Sequence, residues 1–229
     1  METIEIKNID GDVLFSHTAE DNTITLTVEA AVSCGVSLAK ANLAGTCLAV
    51  ADLTGADLTG ADLTGADISW ADLADAILIG AKLEDADLKG AFLEGADLNE
   101  ADITGANINW ANLNGAKNIP FIPLACPSEG AFIGWKKVEW KYLVKIQIPE
   151  DARRCSATTR KCRCDKAMVL DITSLDGNEH YDEVTNTNYN KTIYKVGEMV
   201  YPDSFDENRW NECSHGIHFF INKEEAINY

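Results

Sequence analysis

The chain has 229 residues, 46% of them hydrophobic, and this apolar content excludes a wholly disordered protein. Its 37 acidic residues against 19 basic ones give a net charge of −18, which disfavours membrane-surface and ordinary nucleic-acid binding because both need a basic face. The start shows no leader pattern and no uncharged apolar run could span a bilayer, so we expect a soluble, cytoplasmic protein without a membrane partner. Seven cysteines, an odd number, favour reduced thiols over a disulfide framework.

Residues 1–35 predict an N-terminal cap made of a hairpin and a short helix. Apolar residues alternate at positions 4–6 and again at 13–15, on either side of an Asp10-Gly11 turn. Residues 28–34 then predict a short helix that ends at Gly35. A stack of repeats needs such a cap because its first edge would otherwise expose unpaired backbone.

Residues 36–118 keep the same character at every fifth position. Alanine or another small residue recurs from Ala41 to Ala116, and leucine or isoleucine recurs from Leu38 to Leu113. A period of five fits neither a helix nor a long strand, so the chain must turn every few residues. Because so short a unit cannot bury its own apolar side, the pattern predicts stacked coils that share one core.

These units read ADLTG, ADLTG, ADLTG, ADISW and onward, and they resemble the A(D/N)LxG pattern of the pentapeptide repeat family. The resemblance implies a mainly β fold, a right-handed quadrilateral β-solenoid with four units per coil and the Leu and Ala side chains inward. Sixteen units would make about four coils. The regular Ala and Leu positions argue against the alternative of a disordered low-complexity tract.

Residues 119–229 predict a small C-terminal α+β domain behind a proline-marked connector. Strands are predicted over 142–148 and 167–172, a turn at Asp176-Gly177, and a last helix opened by Asn222. Segments such as GWKKV and LVKIQIPEDA resemble a domain of unknown function found behind pentapeptide repeats in phage-encoded proteins. That resemblance implies a phage or mobile-element origin and brings no activity with it.

Several apolar residues of the repeats lie outside the inward positions. With twenty residues per coil the two repeat tryptophans align two coils apart, with Gly90 between them, and the other apolar residues fall beside them or on the adjoining face. An outward apolar ridge on a charged rod indicates a contact with this chain's own C-terminal domain, with a second copy or with a foreign partner. These interaction candidates are Trp70, Phe92, Trp110, Ile77 and Ile79.

Aspartate precedes the inward leucine or isoleucine in eight units, at Asp52, Asp57, Asp62, Asp67, Asp72, Asp87, Asp97 and Asp102. One interpretation is local, since such side chains bond nearby backbone and hold turns. The other is DNA mimicry, because some family members resemble duplex DNA and occupy the DNA channel of topoisomerases. Thirteen acids and four bases give residues 36–118 a net charge of −9, against about twelve phosphates over a rod of roughly 20 Å. The length of the rod equals that of only about six base pairs of DNA. The series of aspartates is also interrupted by Ile77, Lys82 and Phe92.

Two groups in the C-terminal region could bind ligands. Cys162, Cys213 and His218 could contribute to a zinc site or a Cys-His pair, but the Cys162-Arg163-Cys164 spacing is short for zinc and nothing orients a catalytic pair. We therefore expect no metal, no cofactor and no catalytic residue. The basic residues could bind an anion, although the stronger interpretation is that they neutralise the acidic rod or cap within the chain or lie on a solvated face. They are Arg153, Arg154, Arg160, Lys161, Arg163 and Lys166.

The sequence thus predicts a non-enzymatic protein-interaction module, encoded by a phage or mobile element, that binds and modulates a host protein. One alternative is a DNA-mimic inhibitor of a host topoisomerase, nuclease or defence enzyme. Another is a metal or enzymatic module in the C-terminal domain, carried on the solenoid as a scaffold. A homodimer remains open, and no direct nucleic-acid binding is expected.

Overall fold

The computed structural model describes residues 1–187, 191–211 and 213–229, and the chain forms two compact units, Met1–Ile122 and Pro123–Tyr229. The described residues are mainly β with two short helices, as predicted. Neither helix has the length and apolar content needed to cross a membrane.

The first unit begins with a hairpin and a helix. Strands β1 (Glu2–Lys7) and β2 (Val13–Ala19) pair antiparallel around the expected turn, and α1 (Ile24–Ser33) follows. The helix begins four residues before the predicted start because the Thr23 side chain accepts a hydrogen bond from the Leu26 amide at 3.1 Å. Val28 and Ala31 on the inner side of the helix are fully buried.

The hairpin and helix also bond the edge of the first coil. The Asn42 amide donates to the Lys7 carbonyl at 2.8 Å, and the Asp52 amide donates to the Glu29 carboxylate at 2.9 Å. Both donors would otherwise face an open edge of the ladder. The first coil is therefore closed by backbone and side-chain acceptors of the N-terminal segment.

The repeats stack at intervals of twenty residues. Parallel bridges join Asn42 to Asp62, Asp62 to Lys82 and Lys82 to Asp102, and three equivalent series run along the other faces. Between consecutive five-residue units, the alanine amide of one donates to the leucine carbonyl of the one before, as from Ala61 to Leu58 at 3.0 Å, and this bond closes the turn. The inward leucines and alanines are almost fully buried from Leu38 to Leu98. They form one continuous core along the stack.

The second unit contains two antiparallel sheets, a hairpin and a helix. The first sheet has the order β10-β7-β4-β3, from β3 (Phe132–Val138), β4 (Tyr142–Ile148), β7 (Ala167–Ser174) and β10 (Met199–Val200). The second has the order β11-β6-β5, from β5 (Arg154–Ser156), β6 (Cys162–Cys164) and β11 (Ile217–Phe219). The hairpin pairs β8 (Glu183–Asn186) with β9 (Thr192–Lys195), and α2 spans Lys223–Asn228.

The predicted local elements of this unit are present. The strand at 142–148 has the predicted bounds, and the strand from residue 167 runs two residues longer than predicted, to Ser174. The Gly177 amide closes its turn on the Ser174 carbonyl at 3.0 Å. Asn222 caps the last helix by accepting from the Glu224 amide at 2.8 Å. Alternate residues of β4 and β7, including Val144, Ile146 and Ile172, supply the core.

Candidate functional site

Outward apolar side chains of the repeats gather at one corner of the coils. Val50, Trp70 and Trp110 hold the fifth position of their units at multiples of twenty residues, with Gly90 between the tryptophans, and we call these four residues the corner column. Val50 is 73% exposed and each tryptophan is 50% exposed. Sequence reasoning missed Val50, although the interval that aligns the tryptophans also reaches it.

The backbone at the corner column is left-handed, as it is at the other corners of the coils. The φ angle is +64° at Val50, +59° at Trp70 and +68° at Trp110. This left-handed region costs a residue with a Cβ atom about 1 to 2 kcal/mol, and bulky or β-branched residues rarely adopt it. Glycine, which adopts the region freely, holds most of the other corners. Val50, Trp70 and Trp110 therefore each adopt a backbone conformation that is unfavourable for a large apolar residue.

The Trp70 ring lies over Gly90 in the next coil. A Cβ atom on Gly90 would lie 2.5 Å from Cε3 of the ring, closer than real Cβ atoms approach other atoms. Gly95 meets the Asp75 carboxylate of the preceding coil in the same way. A large corner residue that leans on the next coil therefore requires a glycine twenty residues later.

Phe92 and Ile77 extend this apolar surface onto neighbouring faces. Phe92 is 45% exposed and lies two residues beyond Gly90, where it pairs with Asp72. Ile77 is 40% exposed and lies one face further along the chain, with Ile79 partly buried beside it. At one strand spacing per coil, the two tryptophans are separated by about 10 Å along the stack, and Phe92 lies in the coil between them.

The eight repeat aspartates accept local hydrogen bonds. Each accepts from the amide two residues later at 2.9–3.2 Å, at Asp52, Asp57, Asp62, Asp67, Asp72, Asp87, Asp97 and Asp102. At Asp57 these bonds, led by the one from the Ser37 hydroxyl, hold the pKa below its ordinary value of 3.8. By accepting these hydrogen bonds, the eight carboxylates stabilise the turns of the coil.

The same aspartates are distributed over all four faces of the coils. Within the repeats, aspartate bridges directly to aspartate at Asp52–Asp72 and Asp67–Asp87, whereas Lys82 follows Asp62 at 3.8 Å in the next coil. Apolar or basic residues separate the remaining acids along each face. The negative charge is thus spread around the stack in short patches.

The structure does not bring Cys162, Cys213 and His218 together. Cys162 is fully buried on β6 and pairs with Phe219, whereas His218 pairs with Arg163, whose side chain points to the opposite face of the strand. Cys213 is exposed and lines a cavity together with His218. Among residues 1–187, 191–211 and 213–229, no three His, Cys, Asp or Glu side chains are grouped to hold a metal ion.

Three of the six basic residues at 153–166 pair with carboxylates of the second unit. Arg153 pairs with Asp165 at 2.8 Å and with Glu207 at 2.7 Å. Lys166 pairs with Asp151, and Arg160 pairs with Glu225. The guanidinium groups of Arg154 and Arg163 instead donate hydrogen bonds to backbone carbonyls. The acceptors are Gly130, Pro149 and Glu150 for Arg154, and Asn208 and His215 for Arg163. Lys161 differs from them because it lines the cavity.

This cavity in the second unit has a volume of about 740 Å³. Lys136 on β3 and Lys161 before β6 both reach it. The Lys136 ammonium donates to the His218 carbonyl at 3.3 Å, and the Lys161 ammonium donates to the Tyr229 hydroxyl at 3.1 Å. Burial, with a smaller effect from Lys161, lowers the pKa of Lys136 from 10.5 to about 8. Sequence reasoning missed Lys136, although adjacent lysines on a strand must point to opposite faces.

Family models match both parts of the chain. The model for pentapeptide repeats, which itself spans eight copies of the repeat, matches residues 41–80 and again residues 76–115. The chain belongs to the pentapeptide repeat family. This confirms the resemblance of the ADLTG units, and residues 122–226 match a second model, a family of unknown function named DUF5758.

Solved structures of other pentapeptide repeat proteins are similar to part of this pentapeptide repeat protein. The protein alr5209 from Nostoc Pcc 7120 is 35% identical over 41% of this chain and 86% of its own, with a TM-score of 0.35. HetL from Nostoc sp. strain PCC 7120, involved in heterocyst differentiation regulation, is 37% identical over 35% of this chain and 40% of its own, with a TM-score of 0.22. Rfr23 from Cyanothece 51142 is 41% identical over 31% of this chain and 52% of its own, with a TM-score of 0.17. A search of curated proteins finds no match.

The pentapeptide repeat protein therefore offers two chemically different surfaces. The corner column and Phe92 present aromatic side chains on a regular stack, in a family of protein-interaction modules. The cavity presents two ammonium groups beside aromatic side chains. The first surface suits contact with another protein.

Proposed function

We propose that this protein is a non-enzymatic interaction module whose repeats bind a partner protein through the corner column and Phe92. The observation that carries the proposal is the pair of half-exposed tryptophans, Trp70 and Trp110, held in the left-handed backbone region. Glycine at both corners would remove the backbone cost and the exposed apolar area. Contact with a partner would bury the indole rings, and burial of this apolar surface is favourable for binding.

The surroundings of the column indicate the chemistry of the partner. Trp70, Phe92 and Trp110 lie in three successive coils, and clusters of aromatic residues of this size are typical binding hot spots. Asp52 and Asp72 lie two residues beyond Val50 and Trp70, on the face that also holds Phe92. We therefore expect a partner with an apolar pocket and basic residues around it.

DNA mimicry is the second candidate, and the stacked pairs Asp52–Asp72 and Asp67–Asp87 favour it. Carboxylates one coil apart make local acidic patches of the kind that a DNA-binding cleft would attract. These carboxylates already accept turn hydrogen bonds, however, and a stack of about four coils spans roughly 20 Å, or about six base pairs. A host topoisomerase, nuclease or defence enzyme would be the target of such a mimic.

Within the first candidate, the partner is a host protein and the chain is encoded by a phage or mobile element, as its C-terminal resemblance implies. The same column could instead contact a second copy of this chain. A homodimer would bury the tryptophans in pairs around a two-fold axis, so both forms depend on the same side chains. A cofactor or a catalytic residue has no role in either form.

Comparative capture of partners from host lysate tests the proposal. Immobilised full-length protein is compared with the double variant Trp70→Ala/Trp110→Ala and with Trp140→Ala, using quantitative mass spectrometry. Trp140 is a matched control because it is 71% exposed with φ of +55° but lies in the second unit. We expect the double variant to lose the partner and Trp140→Ala to retain it. Equal recovery by both variants, with unchanged sedimentation of all three proteins, would refute the proposal.

A further inference from the structure

The cavity of the second unit carries positive charge in a protein whose net charge is −18. Lys136, Lys137 and Lys161 line it. Two carboxylates also line it: Glu139 accepts from the Thr187 hydroxyl at 2.9 Å, and Asp203 lies 3.6 Å from His215, another residue of the cavity wall. Among the described residues that line the cavity, three ammonium groups thus accompany two carboxylates.

Lys136 is a cavity-lining lysine whose charge is not balanced by a carboxylate of the described residues. Its side chain is mostly buried on β3, and the structure gives its ammonium the His218 carbonyl as an acceptor at 3.3 Å. In the part of the chain that the structure describes, no carboxylate pairs with it. A buried ammonium without a counter-charge is costly, and the lowering of the Lys136 pKa to about 8 is the expected response.

Lys161 brings a second ammonium to the same cavity. It is 5% exposed, and its Nζ lies 3.1 Å from the Tyr229 hydroxyl and 3.7 Å from the Cys213 sulfur. Its charge is close enough to lower the pKa of Lys136 further. Two neighbouring ammonium groups repel each other. A doubly charged anion would balance both positive charges, whereas the single charge of a carboxylate would balance only one of them.

The remaining walls suit a flat apolar body. Trp140, Tyr194, Phe220 and Tyr229 all line the cavity, and its volume of about 740 Å³ lies within the range of small-molecule sites. Aromatic rings bind planar groups through stacking and edge contacts, and such pairs are favourable beyond the area they bury. An inorganic ion alone would leave these walls without contacts.

We propose that the cavity binds a phosphate monoester carried on a planar aromatic group, with Lys136 and Lys161 holding the phosphate and the aromatic walls holding the ring. Lysine serves in phosphate sites as a point charge, so no bidentate geometry is required of either side chain. The site lies wholly within residues of the second unit. It is independent of the corner column and does not rest on the proposed function.

Titration calorimetry of the full-length protein with phenyl phosphate tests this site. Comparison ligands are inorganic phosphate, which lacks the ring, and benzoate, which has a single charge. The variants are Lys136→Met and, as a matched control, Lys141→Met, because Lys141 stacks on Tyr142 at 5.0 Å and does not line the cavity. Methionine removes the buried charge and keeps the length of the side chain, so we expect Lys136→Met to fold.

We expect saturable binding of one phenyl phosphate per chain, weakened at least tenfold by Lys136→Met and unchanged by Lys141→Met. Inorganic phosphate and benzoate should each bind at least tenfold more weakly than phenyl phosphate. Absence of saturable binding, or equal affinity in Lys136→Met, would overturn the site. Equal affinity for benzoate would overturn the assignment of a dianion, and equal affinity for inorganic phosphate would overturn the aromatic part. If Lys136→Met loses its thermal transition, Lys161→Met takes its place with the same expected loss.

Discussion

Replacing Gly90 by alanine should destabilise the repeats far more than the same change at Gly80. Both glycines have left-handed φ angles, +68° and +62°, so each alanine costs about 1 to 2 kcal/mol of backbone strain. At Gly80 the new Cβ meets nothing within 4 Å, whereas at Gly90 it would lie 2.5 Å from the Trp70 ring. Displacing that ring adds an overpacking cost of about 1 to 3 kcal/mol. We therefore expect Gly90→Ala to cost about 2 to 5 kcal/mol in the free energy of unfolding.

A double-mutant cycle with Trp70→Ala isolates the contact. Once the ring is gone, Gly90→Ala should cost no more than Gly80→Ala, which gives a coupling of about 1 to 3 kcal/mol. Native-state hydrogen exchange read by mass spectrometry on peptides from residues 66–90 measures the repeats separately from the second unit. The reasoning would fail if Gly90→Ala and Gly80→Ala had equal costs, or if the cycle gave no coupling.

Three further predictions concern the core and the titrating groups. Leu88, 1% exposed, becomes a buried unpaired charge in Leu88→Asp, so circular dichroism should show loss of the repeat structure, while Asp87→Asn should fold because its amide oxygen can still accept the Lys89 amide. The folded-state pKa of Asp57 is lowered, so its contribution is present above pH 3.8 and is lost as pH falls below that value; urea unfolding should show a shallower acid loss in Asp57→Asn. The lowered pKa of Lys136, about 8 against 10.5 unfolded, means that the unfolded chain binds more protons above pH 8. Stability of the second unit should therefore rise from pH 8 to 9.5, with no such rise in Lys136→Met.

Much of the repeat structure could be predicted from the sequence because the interactions that form it are local and recur every five residues. A five-residue period fixes which side chains turn inward, and Leu88 is buried as the pattern requires. The turn role of the aspartates follows from side-chain chemistry that acts over two residues. The same arithmetic aligned Trp70 with Trp110. The positive φ angles at those corners and the packing of Trp70 on Gly90 needed the structure, because they depend on how one coil rests on the next.

The second unit was harder to read because its site is assembled from distant segments. Lys136, Lys161, Cys213 and Tyr229 meet at one cavity although they span more than ninety positions of the chain. Strand patterning predicts that a lysine of GWKKV turns inward, but not what it meets there. The Cys162 and His218 pairing failed for a related reason, since alternation on paired strands places the two side chains on opposite faces.

The central claim is that the tryptophans of the corner column anchor a protein partner. The most direct test is the dissociation constant of a captured partner for wild type and for Trp70→Ala/Trp110→Ala, at 50 mM and 200 mM salt. Loss of two aromatic anchors should weaken binding by about 100-fold or more at both salt concentrations, and the change in wild-type affinity between the two salt concentrations should be much smaller than that loss. If the double variant binds as wild type does, and affinity instead falls steeply with salt, the aspartates and not the tryptophans carry the interaction.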